Sequence, residues 1–140
     1  MVQTDAINVV FTTTDDTLEA VRVASELGRA MHAELKVVHF RSVPIPLSLE
    51  QPAGVSPIET DAFIRRVRAE GIDARVRVFL CRSADRAIPM AFRRDAMIVI
   101  GGRRGHLWPT AAERLRRRLE AAGCFVVFVD TSEHRESVRA

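Results

Sequence analysis

The sequence predicts a single open α/β domain, a parallel five-stranded sheet with helices on both faces. Strand and helix patterns alternate along the chain as β-α-β-α-β-α-β-α-β, and strands joined through helices become parallel neighbours by right-handed crossovers. Ala96-Met97-Ile98-Val99-Ile100 is apolar without a break, as a parallel strand covered on both faces must be. It runs straight into Gly101-Gly102-Arg103-Arg104-Gly105. Glycines at the carboxyl end of such a strand let backbone N–H groups approach a phosphate, at the place where open α/β sheets bind ligands.

Composition bounds the reading. A chain of 140 residues forms one domain and removes roughly two-thirds of its unfolded surface from water. The 21 basic and 18 acidic residues leave a net charge of +3, carried almost wholly by arginine, since Lys36 is the only lysine. So small an excess does not call for nucleic acid as a partner. Cys81 and Cys124 stand without a second cysteine or histidine at metal-ligand spacing, so they read as small buried residues and no metal is expected. No basic-then-apolar leader opens the chain and no apolar run is long enough to span a bilayer. A cytoplasmic protein without a membrane partner is the expectation.

The elements follow in order. Ile7 to Thr12 is a short apolar strand. Thr13-Thr14-Asp15-Asp16 supplies side chains that accept the first free N–H groups of a helix. Leu18, Val21, Ala24, Leu27 and Met31 then recur at helical spacing and turn one stripe to a sheet, while Glu19, Arg22, Glu26 and Arg29 face water. Glu34 to Phe40 alternates into a second strand. Arg41 to Val55, with Pro44, Pro46 and Pro52, reads as a long loop, mobile over the carboxyl ends of the strands.

Ser56-Pro57-Ile58-Glu59 has the form of a capping box with proline at the first helical position, and its helix buries Phe63 and Val67 before Gly71 stops it. Arg75 to Leu80 alternates with charge on one face, which assigns it to a sheet edge. Ser83 or Asp85 opens a short helix in which Pro89 must lie in the first turn or kink the rod. A helix over Thr110 to Ala122 ends at Gly123, and Cys124 to Val129 is the last strand. Thr131 to Ala140 reads as a solvated, frayed tail beyond a domain of residues 1–130.

The chain resembles the universal stress protein family over about residues 7 to 130. The likeness rests on the run from Val9 through Leu35-Lys36-Val37-Val38-His39-Phe40, on Ala87-Ile88, on Met97-Ile98-Val99-Ile100-Gly101, and on Gly123-Cys124-Phe125-Val126-Val127-Phe128-Val129. It implies strand order 3-2-1-4-5, an adenine-nucleotide-alpha-hydrolase-like sheet, and a stress-response role without a reaction.

Nucleotide-binding members of that family resemble one another at three places, and this chain departs at each. An aspartate ends their first strand and holds the nucleoside; here the position is Thr12, followed by Thr13. A hydroxyl lacks the carboxylate's strong acceptor pair for a ribose. A G-x-x-G follows their fourth strand. From Gly101 the spacing reaches Arg104, whereas Gly102 and Gly105 satisfy it one position late, around Arg103.

A Gly-Ser or Gly-Thr about ten residues on grips their terminal phosphates. Counting forward from Gly105 reaches Leu115-Arg116, and counting back from Cys124 reaches Ala112-Glu113. Glu113 would set a negative charge where a triphosphate must sit, at a cost on the order of 4 kcal/mol at close range. Thr12, Thr13, Phe40, Gly101, Gly102, Arg103, Arg104, Gly105, Ala112 and Glu113 are thus the positions of a degenerate nucleotide site. No cofactor is expected, with ATP held in a shifted Gly102–Gly105 turn as the alternative, and an anion- or RNA-binding surface from Arg103 to Arg118 as the third.

Other constellations have simpler accounts. His39 reads as a satisfied histidine at a strand end and His106 as a loop histidine. No catalytic set is recognisable. Arg114, Arg116, Arg117 and Arg118 read as a solvated helix face paired through Glu113–Arg117 and Arg116–Glu120. Trp108-Pro109 is expected to pin the glycine loop against the sheet or to plug the vacant cleft. The last strand, Phe125, Val126, Val127, Phe128 and Val129, is apolar on both faces at a sheet edge. Such an edge invites a second copy to pair with it. A homodimer through that strand, with an unidentified protein partner, is therefore the expected mode of action.

Overall fold

The computed structural model describes residues 6–42 and 57–132. Among the described residues nine elements alternate: β1 (Ala6–Val10), α1 (Thr14–Met31), β2 (Glu34–Ser42), α2 (Pro57–Ala69), β3 (Arg75–Cys81), α3 (Ala84–Ala91), β4 (Met97–Gly102), α4 (Ala111–Ala121) and β5 (Phe125–Asp130). All strand pairs are parallel and the order is β3-β2-β1-β4-β5. Fold class and order agree with the sequence reading. Residues 43–55 of the expected loop, the Ser56 cap and the tail from residue 133 lie outside the described residues.

Two apolar layers fix the helices. Ile7, Val9, Val37 and Val99 on one face of the sheet bury against Leu18, Val21 and Ala24 of α1 and Phe63 and Val67 of α2. Val10, Val38, Ile98 and Ile100 on the other face meet Ile88 and Phe92 around α3 and Leu119 of α4. Successive strand residues alternate between the two clusters, as a period of two demands. On the first face Arg22 of α1 also pairs with Glu19 and with Glu70 beyond α2, an exposed link that adds little.

The carboxyl end of β4 is where the helices come closest. A Cβ on Gly101 would lie 2.1 Å from the Asp16 carbonyl oxygen, and one on Gly102 would lie 2.3 Å from the Ala112 Cβ. Gly101 thus admits the first turn of α1 on one face, and Gly102 admits the first turn of α4 on the other. These two glycines act through the absence of a side chain.

The boundaries differ from the sequence reading for identifiable reasons. β1 ends at Val10, because Phe11 N–H still reaches the Val38 carbonyl at 2.8 Å while Thr12 N–H turns to Thr17 Oγ1 at 3.0 Å. Arg41 and Ser42, expected in the loop, extend β2 by pairing with Leu80 and Cys81. Pro89 falls in the second turn of α3 rather than the first, and the helix ends soon after at Ala91. Thr131 does not belong to a solvated tail. It is 2% exposed, its N–H bonds the Gly102 carbonyl at 3.0 Å, and its hydroxyl donates to Asp16 Oδ1 at 2.9 Å.

Two substitutions test this packing. Gly101→Ala forces a Cβ into the backbone of α1 and should lower unfolding free energy by about 2–3 kcal/mol, as overpacking does. Thr131→Val keeps the volume but removes the bond to Asp16, and should cost about 1–2 kcal/mol. Urea midpoints at constant slope measure both.

Candidate functional site

The strand order reverses direction between β1 and β4, so the crevice beyond their carboxyl ends is the topological switch point of the sheet. Its floor is tied shut. Thr12 Oγ1 donates to the Gly101 carbonyl at 2.8 Å, joining the end of β1 to the end of β4. Thr13 caps α1, its hydroxyl accepting Asp16 N–H at 3.2 Å. Both threonines spend their hydroxyls on the protein's own backbone.

The glycine turn is closed in the same way. Thr110 and Glu113 form a capping box at the start of α4, Thr110 Oγ1 accepting Glu113 N–H at 3.2 Å and Glu113 Oε1 accepting Thr110 N–H at 2.9 Å. The same Glu113 oxygen also accepts Gly105 N–H at 2.7 Å. These bonds from Thr110 and Gly105 hold the Glu113 carboxyl below the usual glutamate range. An internal carboxylate therefore receives the amides of a glycine loop and a helix start, the kind of donors that elsewhere meet a bound anion. The Thr110-x-x-Glu113 spacing carries this signal in the sequence, where charge alone suggests only repulsion.

The remaining site residues scatter. Gly101, Gly102 and Ala112 are packing positions. Phe40 belongs to the α3 face of the sheet, its ring 5.8 Å from Phe79 and 6.0 Å edge-on from Phe92. Arg103 is exposed and its carbonyl accepts the Thr110 hydroxyl at 2.8 Å. Arg104 reaches Asp130 at 3.6 Å. The Asp130 carboxyl is held low first by the Ser132 N–H and also by Arg104. His39 stacks on Phe11 at 4.1 Å. Burial pushes the Cys81 and Cys124 thiols up, away from reactive thiolates.

Trp108 neither pins the loop nor plugs the crevice: it is 81% exposed, and Leu107 beside it is 89% exposed. The chain turns so tightly at Gly105 that a Cβ there would lie 1.8 Å from the Trp108 carbonyl oxygen, which fixes the backbone and throws the two side chains outward. On α4 the Arg116–Glu120 pair forms at 3.2 Å and Arg118 reaches Asp85 at 3.3 Å. Glu113 faces the glycine turn instead of serving as the expected partner of Arg117. Among the described residues no group of histidine, cysteine, aspartate or glutamate could hold a metal ion, and no helix is long and apolar enough to cross a membrane.

β5 is the second candidate surface, an edge strand whose outer side has no neighbouring strand among the described residues. Phe125 N–H bonds the Ala96 carbonyl at 2.9 Å and Thr131 N–H bonds that of Gly102 at 3.0 Å. Backbone direction alternates, so Val127 and Val129 also point toward β4 while Val126 and Phe128 point their N–H groups to the open edge. Val126 to Val129 are half-buried and Phe125 is 63% exposed.

No protein-family model matches the sequence, and no curated protein matches it. Solved structures do. A universal stress protein from Archaeoglobus fulgidus aligns at TM-score 0.63 and 19% identity, over 89% of this chain and 93% of that one. The protein of that name and organism in complex with dAMP aligns at 0.64 and 20%, over 92% and 100%. A universal stress protein in complex with cAMP aligns at 0.57 and 24%, over 91% and 98%. The chain has the universal stress protein fold.

Proposed function

We propose that the protein is a universal stress protein of the kind that takes no ATP and acts through homodimerisation and contacts with a protein partner. The observation that carries this reading is Glu113, whose carboxylate already accepts Gly105 N–H and Thr110 N–H. A triphosphate entering there would have to displace a bonded carboxylate and then sit beside its charge. Thr12, with its hydroxyl given to Gly101, offers a ribose no carboxylate. The alternative, a nucleotide held in the shifted Gly102–Gly105 turn, draws support from related folds solved with dAMP and cAMP.

Thermal unfolding separates the two. A ligand at 100 times its Kd stabilises a protein by about 2.7 kcal/mol, several degrees for a domain of this size. Millimolar Mg-ATP, dAMP and cAMP should each leave the melting temperature unchanged; a shift of several degrees with any of them establishes the alternative.

The Glu113 link has its own pH signature. Its folded pKa lies below the unfolded value, so the link is complete above the ordinary glutamate pKa of about 4.3 and is lost as pH falls through the lowered value. The Gly105 amide resonance should hold steady through neutral and mildly acidic pH and move only below that range. In Glu113→Gln this acid step should vanish.

Dimerisation through β5 is tested by proline. Val126→Pro deletes an N–H on the open edge and should weaken self-association while leaving the monomer folded. Val127→Pro deletes a bond to β4 and should damage the fold itself. Sedimentation of the wild-type protein as a monomer at tens of micromolar rules out this mode of pairing.

A further inference from the structure

The loop from Arg103 to Pro109 is neither part of the packed interior nor slack. Gly105 N–H is bonded to Glu113, the Thr110 hydroxyl to the Arg103 carbonyl at 2.8 Å, and Arg114 Nη1 to the Pro109 carbonyl at 2.9 Å. Arg104 is drawn toward Asp130. A loop tied at so many points loses little freedom on binding, so a contact made by its tip keeps most of its interaction energy. That tip carries Leu107 and Trp108, the two most exposed large apolar side chains among those flanking the crevice. Apolar neighbours of this size, held rigid in water, mark a binding surface.

Charge around the tip identifies the partner. From Arg103 to Arg118 the chain holds six arginines and one acid, Glu113, whose carboxylate is committed to Gly105 and Thr110. Arg104, Arg116 and Arg118 have acidic neighbours. Arg103 and Arg114 have no acidic partner among the described residues, and both flank the tip. Tryptophan and arginine are the residue types that dominate protein interfaces, with an apolar anchor at the centre and charge at the rim. Leu115 and Leu119 of α4 pack inward, so no amphipathic helix face is left for a bilayer. Among the described residues the exposed rings of this loop are the Trp108 indole and the His106 imidazole, fewer than the series of aromatics on which a strand of nucleic acid stacks.

We infer that the Leu107–Trp108 tip, with Arg103 and Arg114 at its rim, is a preformed docking knob for an acidic protein segment carrying an apolar centre. This rests on the reading that the protein works by partner contacts, and it concerns the loop tip rather than the crevice or β5. The loop is thereby assigned to protein recognition in place of phosphate binding.

Trp108 is the only tryptophan in the chain, so its emission reports occupancy of the knob directly. A glutamate-rich peptide with a leucine-containing centre should shift that emission to the blue at low salt, with binding weakened by added salt. The matching lysine-rich peptide should not. With the peptide fluorescently labelled, Trp108→Ala and the pair Arg103→Glu with Arg114→Glu should each weaken binding by about tenfold or more. Both side-chain sets are exposed, so circular dichroism should show the fold intact.

Absence of a blue shift, or binding that survives Trp108→Ala, overturns the proposal. Binding of anionic vesicles or single-stranded DNA in preference to the acidic peptide overturns it in favour of those surfaces. A nucleotide-induced rise in melting temperature alongside normal peptide binding would instead refute only the ATP-free reading, so the two failures are distinct.

Discussion

The structure hinges on the close approach of two helices to one strand end. Gly101 and Gly102 let the first turns of α1 and α4 descend onto opposite faces of β4, and side chains at either position would hold them off. The consequences spread outward. With α1 seated, Asp16 comes within reach of the Thr131 hydroxyl and Thr17 within reach of Thr12 N–H. With α4 seated, its third residue, Glu113, comes under the Gly105 amide. The glycines that first suggest a phosphate loop are thus needed for packing whether or not a ligand ever arrives.

From that constraint follows the character of the crevice. Open α/β sheets bind ligands at the switch point because strand ends and helix starts leave donors and acceptors unspent. Here the chain spends them on itself: Thr12 on Gly101, Thr13 on Asp16, Glu113 on Gly105 and Thr110. What the closure leaves outside is a loop, tied at several points, that bears Leu107 and Trp108, and the edge of β5, which has no neighbouring strand among the described residues. Neither is a cleft, and it is on these two surfaces that the proposed partner contacts are placed.

Much of this was legible from residues alone. Unbroken apolar strands, threonine and aspartate at helix starts and glycine after helix ends fix the alternation, and charge on Arg75 and Arg77 marks β3 as an edge. The site was harder, since the sign of a charge does not reveal its partner. Glu113 reads as an obstacle to phosphate in sequence and is in space a replacement for it, although Thr110-x-x-Glu113 spells a cap. Trp108 fails for a related reason: an aromatic beside glycines suggests packing, but the tightness of the turn at Gly105 decides which way it points. Thr131 and Asp16 lie 115 positions apart, and nothing local to either announces the bond.

The most direct test of the central claim is a titration watched at the Gly105 and Thr110 backbone amides by nuclear magnetic resonance, with Mg-ATP as the titrant. If Glu113 holds these donors as described, both resonances stay in place up to millimolar nucleotide. Saturable movement of both, accompanied by a rise in the Glu113 carboxyl pKa as its bonds are taken by phosphate, would contradict the account.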